Sequence, residues 1–232
     1  MQDITGIDPQ ALPESWTKAT PYVDSEAFSV TEFVKRSLAR MEKAPNMEKA
    51  IRLFDAVRDD IRYDPYQINF HAERYRASYV ADLPEAFCVP KAILLTACLR
   101  VVGIPAGVGF ADVQNHLNSP KLAEMMETDL FSYHGYVALK LDGKVFKVTP
   151  TFNRELCERF GVRAIEFDGT GDALFHEFDA EKRQHMEYVK DRGIFEDPPM
   201  AKILKDLEEI YPKLKARETK AADLIEDPNF AA

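Results

Sequence analysis

Cys88 opens the densest apolar run of the chain, CVPKAILLTACLRVVG, and His134 opens a second patterned stretch, HGYVALKLDGKVFKV. A thiol becomes a strong nucleophile when its thiolate is stabilised by the unpaired N–H groups and positive end of a helix, or by a neighbouring imidazolium. Cys88 gains the first from its place at a predicted helix start. His134 is the candidate for the second, since its strand face lacks the large aliphatics Val137, Leu139 and Leu141. Such a pair attacks carbonyls, with the histidine shuttling a proton to the leaving group. His116, in VQNHL, is a rival base, although a loop histidine beside Asn is ordinarily solvated. A free cysteine ahead of an apolar helix is also a common small core residue.

The elements that must position these groups follow from periodicity. Ile93, Leu94, Leu95, Ala97, Cys98, Leu99, Val101 and Val102 cover every face of the segment after Cys88, which predicts a helix buried on most sides, with Pro90 in its first turn and Gly103 as its cap. Ahead of it, Val30, Phe33, Val34, Leu38 and Met41 predict one amphipathic helix. Met47, Ile51, Phe54, Val57 and Ile61 predict a second, with Asn46 as cap. Residues 61–70, IRYDPYQINF, read as a loop or short extended segment, and IPAGVGFADV as a strand. Gln114 to Tyr133 reads as a loop with a helical piece around LAEMME.

Asp142-Gly143 between alternating residues is a two-residue hairpin turn. If Leu141 pairs with Lys144, Tyr136 faces Thr149 and His134 faces Thr151, all on one face of the sheet. Beyond Phe152 come an EFDG turn, a mixed stretch HEFDAEKRQHMEYV, and a helix using Ile203, Leu204, Leu207, Ile210 and Tyr211 that Pro212 ends or kinks.

Composition bounds the remainder. The chain has 232 residues, 46% of them apolar, enough for one substantial core, and no apolar run approaches a membrane span. The 30 Lys and Arg against 39 Asp and Glu give a net charge of −9, which argues against nucleic acid and anionic lipid as partners. Three cysteines without paired spacing, and a start with neither basic patch nor apolar stretch, lead us to expect a cytoplasmic protein. His176, Asp179, His185 and Glu187 match no standard metal-ligand spacing. We expect no metal or cofactor, and read those residues as a hydrogen-bonded cap anchored by Met186 and Tyr188.

FCVPKAILLTACLRVVGIPAGVGFADVQNHL followed by HGYVALKLDGKVFKVTPTFN resembles the core of the bacterial transglutaminase-like superfamily, related in fold to papain-type cysteine proteases. The resemblance covers roughly residues 48 to 153 and implies Cys88 as nucleophile and His134 as base. Two positions depart from the pattern. Thr149, in VTPTFN, stands where the family commonly has Asp, and GluAlaPhe replaces the small residue often found before the nucleophile. In the expected register Thr149 is diagonal to His134, where its hydroxyl would orient the ring without supplying charge. Asn153 and Asp168 are alternative third residues. An oxyanion needs two donors, the Cys88 N–H and a side chain for which Tyr63, Tyr66 and Ser78 are candidates; Tyr63 is preferred because it sits in IRYDP.

The expected fold is therefore α+β, one domain over residues 1–232 with a papain-like, transglutaminase-like core and an extension over 154–232. A helical half carrying the nucleophile packs on an antiparallel sheet. The implied activity is acyl transfer or hydrolysis at the carbonyl of a peptide or small-molecule amide or ester, with hydrolysis favoured over transamidation. A weakly catalytic binding or scaffold protein of the same fold, and a small-molecule enzyme using the pair for non-hydrolytic chemistry, are the alternatives. Substrate identity and oligomeric state are left open.

Overall fold

Helix α4 (Cys88–Val101) runs through the middle of the molecule, with every residue from Val89 to Arg100 buried. It is the helix that apolar side chains on all faces predict. Gly103, at φ +76°, ends it, and the N–H of Ile104 returns to the Leu99 carbonyl at 3.0 Å. The computed structural model describes residues 4–115, 119–174 and 186–218.

Around α4 pack α1 (Phe28–Ser37), α2 (Asn46–Asp60) and the short α3 (Ala77–Val80). The stripe of α1 continues to Met41, yet the helix stops at Ser37 and Leu38 caps it. Asn46 is the first helical residue of α2 and Pro45 holds the cap position, so the Asn46 side chain does not serve as the cap. The 61–70 segment forms β1 (Arg62–Tyr63) and a 3-10 turn at Pro65–Gln67. Strand β1 pairs in parallel with β2 (Glu85–Ala86), and this places Tyr63 opposite Ala86, two residues before Cys88.

The other half is an antiparallel sheet in the order β5-β4-β3-β6, built from β3 (Ala106–Asn115), β4 (Leu130–Leu141), β5 (Lys144–Val148) and β6 (Met186–Phe195). The Asp142-Gly143 turn has positive φ at both residues, and Leu141 pairs with Lys144 as the turn dictates. The paired ladder stops at Val137 with Val148. Thr149 turns away and donates its N–H to the Ala173 carbonyl, so the expected pairings of Tyr136 with Thr149 and His134 with Thr151 fall beyond the ladder.

Strand β6 was not legible. Glu187 to Asp191 are all exposed, so no alternation marks them, and the strand sits at the sheet edge with register shifts against β3. Met186 is buried as expected, whereas Tyr188 is 37% exposed. Helix α5 (Pro120–Met126) takes up the LAEMME piece, and α6 (Arg154–Phe160) follows the hairpin. Helix α7 (Met200–Ile210) ends at Tyr211, and Pro212 opens a further helix, α8 (Pro212–Glu218). One apolar cluster runs from Leu12 to Leu214. Among the described residues no helix is long and apolar enough to cross a membrane.

Candidate active site

Cys88 is the first residue of α4, following Phe87 in extended conformation. The first N–H groups of a helix have no partner within it, so those of Cys88 and Val89 are directed out of the helix end. Both approach the Cys88 sulfur, as does the N–H of Gly135 from β4, and all three favour the thiolate. Burial outweighs them and pushes the thiol up to about 11.

His134 is buried, and burial lowers its imidazole to about 3. Both shifts favour the uncharged forms, thiol and neutral imidazole, over the thiolate and imidazolium that position alone suggests. Both line one pocket of about 40 Å³, together with Tyr63, Phe131, Leu207 and Tyr211.

A bulge turns His134 into this pocket. Ala111 faces His134 and Val113 faces Phe131, which leaves Ser132 and Tyr133 opposite Asp112 alone. Tyr133 takes up the extra length at φ +59°, a left-handed conformation costly for an aromatic residue. Three contacts hold it there. Its N–H donates to Asp112 Oδ1 at 3.1 Å, its ring lies 4.3 Å from the Arg192 guanidinium, and its hydroxyl donates to the buried Asp206 carboxylate. Arg192 in turn grips Asp112 with two bonds of 2.8 and 2.7 Å.

The remaining wall comes from the C-terminal part. The Tyr211 hydroxyl donates to the Leu130 carbonyl at 2.8 Å and accepts the Ser132 N–H at 2.7 Å, clamping the end of α7 to the first turn-side residues of β4. Burial raises this phenol to about 12.

The candidates from sequence separate clearly. Cys88, His134 and Tyr63 line the same pocket. Tyr63 is held edge-on to Phe152, with ring centroids 4.7 Å apart, and its phenol is raised by burial first and then by the Cys88 charge. Thr149 is fully buried, but its hydroxyl makes no hydrogen bond among the described residues and so does not orient the imidazole there. Asn153 accepts the Tyr63 N–H at 3.1 Å and ties β1 to the start of α6.

Asp168 is exposed and closes its own turn through Thr170, because Gly169 reverses the chain beside it. Ser78, on α3, donates its backbone N–H to Asp24 and accepts the Ser29 hydroxyl at its carbonyl, and it is not part of the pocket lining. Tyr66 approaches Ser119, with oxygens 3.5 Å apart. Glu187 lies on β6 opposite Gln114, while His116, His176, Asp179 and His185 lie outside the described residues. No three His, Cys, Asp or Glu side chains among the described residues are grouped to hold a metal.

Sequence reasoning missed Leu207, Tyr211 and the Asp112–Arg192 pair. Leu207 and Tyr211 looked like ordinary positions on an apolar helix face. Gly135 did carry a signal, because a glycine inside a strand marks close backbone approach.

Residues 33–149 match the family described as the transglutaminase-like superfamily. No curated protein matches the sequence. A solved structure from Cytophaga hutchinsonii, described as a candidate cysteine protease, is similar at 13% identity with a TM-score of 0.45. The similarity covers 84% of this chain, which spans 58% of that protein.

Proposed function

The chain belongs to the transglutaminase-like superfamily, and on that premise we propose that it carries out thiol-dependent acyl transfer at an ester or amide carbonyl, with Cys88 as nucleophile and His134 as proton carrier. The observation that carries this reading is the meeting of the two side chains in one pocket, with the Cys88 sulfur at a helix N-terminus under the Gly135 N–H. In the first step the sulfur forms a bond to the carbonyl carbon while His134 takes the thiol proton. Collapse of the tetrahedral intermediate breaks the bond to the leaving amine or alkoxide, and His134 returns the proton to it.

The Cys88 N–H and Tyr63 are the donors we assign to the developing oxyanion. Water then resolves the thioester, with His134 again as base. Hydrolysis is favoured over transamidation because water needs no dedicated acceptor site.

Intact-mass measurement after exposure to activated esters and amides tests this. The wild-type chain gains one acyl group at Cys88, Cys88→Ala gains none, and His134→Ala loses turnover while staying folded by its thermal melt. Turnover surviving in His134→Ala would remove the histidine from the reading. A second reading, a binding protein that retains the fold, is favoured by the neutral state into which burial drives both groups; an inert Cys88 in the same measurement would select it.

A further inference from the structure

Among the described residues, the pocket beside Cys88 is walled chiefly by apolar side chains. Its lining beyond the thiol, the imidazole and the Tyr63 and Ser132 hydroxyls is formed chiefly by Ile68, Phe87, Leu122, Met126, Phe131 and Leu207, and no lining residue among those described carries a formal charge with His134 neutral. The two phenols nearest the sheet are already committed, Tyr133 to Asp206 and Tyr211 to Leu130 and Ser132. A carboxylate placed there would lose its hydration and meet no opposite charge among the described lining residues, at a cost that disfavours binding.

We infer that the acyl group accepted by Cys88 is a short, uncharged, apolar chain. This rests on the reading of Cys88 as an acyl-accepting nucleophile and adds the substrate class. The pocket volume of about 40 Å³ holds roughly three water-sized bodies, the bulk of about three carbons beyond the carbonyl, as in an unbranched butyryl chain. In the reaction the Cys88 S–C bond forms as the bond to the alcohol or amine oxygen or nitrogen breaks. The thiol proton leaves on that alcohol or amine, and water later converts the thioester to the free carboxylic acid and the thiol.

The test is the rate of Cys88 acylation by p-nitrophenyl esters of acetic, butyric, hexanoic, decanoic and monosuccinic acid, each divided by its rate with a small free thiol and corrected with Cys88→Ala. Transfer of apolar surface from water predicts about a fourfold gain per methylene from acetyl upward until the pocket is full near butyryl. Hexanoyl and decanoyl then gain nothing further, and the charged succinyl ester is slower than butyryl by at least tenfold.

Leu207→Ala enlarges the pocket and moves the optimum to longer chains. Phe131→Ala, at a half-buried position on β4, makes the same shift where folding tolerates the change more readily. Acylation of Cys88 at rates independent of chain length, or an equal rate for succinyl and butyryl, would overturn this inference and leave the nucleophile intact. Failure of every ester to acylate Cys88 would instead overturn the reading on which it rests.

Discussion

Gly135 and Cys88 are in backbone contact across the interface of sheet and helix: a Cβ on Gly135 would stand 3.0 Å from the Cys88 carbonyl oxygen and 2.9 Å from Val89 Cα. The strand that carries His134 therefore approaches the helix that carries Cys88 as closely as a main chain permits. Gly135→Ala must push β4 and the start of α4 apart, and overpacking of this kind costs about 1–3 kcal/mol. The expected outcome is a lowered thermal midpoint together with a loss of Cys88 acylation larger than that stability loss explains. Unchanged acylation in a folded Gly135→Ala chain would show that the close approach does not set the site geometry.

With the thiol raised to about 11 and the imidazole lowered to about 3, the thiolate fraction of Cys88 grows tenfold per pH unit across the neutral range. Labelling by iodoacetamide, resolved by residue, should climb in that proportion from pH 6 to pH 9 without levelling. Cys88 should still outrun Cys98 and Cys157, which are buried while Cys88 is partly open to the pocket. A plateau beginning below pH 7 would mean that thiolate and imidazolium coexist at rest.

The Thr149 hydroxyl is buried and unbonded among the described residues, so it lowers stability where a methyl group would not. Thr149→Val should raise stability by about 1 kcal/mol, a midpoint gain of roughly 2–4 °C for a chain of this size. Thr149→Asp is expected to raise the His134 pKa if the two share a face, since a carboxylate favours imidazolium. Cys88 labelling would then move to lower pH. An unchanged labelling profile in folded Thr149→Asp would place the third position elsewhere, with Asn153 next to be tried.

Asp112 and Arg192 are buried partners whose separation would leave one charge uncompensated, a loss of about 3–5 kcal/mol. Asp112→Asn keeps an acceptor for the Tyr133 N–H and should retain more activity than Asp112→Ala at equal folded fraction. Equal activity in the two variants, measured well below their melting temperatures, would show that the left-handed Tyr133 does not depend on that acceptor to aim His134.

Much of this arrangement is readable from residues whose neighbours in sequence are their neighbours in space. Cys88 at the head of α4 follows from apolar side chains on every face and Pro90 in the first turn. The β4–β5 pairing follows from Asp142-Gly143. What escaped depends on contacts between distant segments. The Asp112–Arg192 pair joins two strands through an edge whose exposed charges conceal it, and the bulge at Tyr133 shows only when β3 and β4 are aligned. Thr149 was placed by continuing a ladder that in fact yields its N–H to Ala173, a partner the hairpin could not announce. Ser78 and Asp168 fit the required chemistry, but the Ser78 backbone is held against the distant Asp24, Asp168 closes its own turn, and neither lines the pocket.

The clamp made by Tyr211 also gives the pocket an order of assembly. Cys88, Gly135 and His134 all leave the ribosome before residues 200–211, so β4 can meet α4 while the Leu207 and Tyr211 wall is still unmade. A helix and sheet assembled without that wall would leave the sulfur open to solvent and to any electrophile in it. Selectivity for what reaches the thiol is thus acquired after the nucleophile is in place, when the Tyr211 phenol finds Leu130 and Ser132. A nascent chain halted before that step would carry a thiol without the enclosure that chooses its partners.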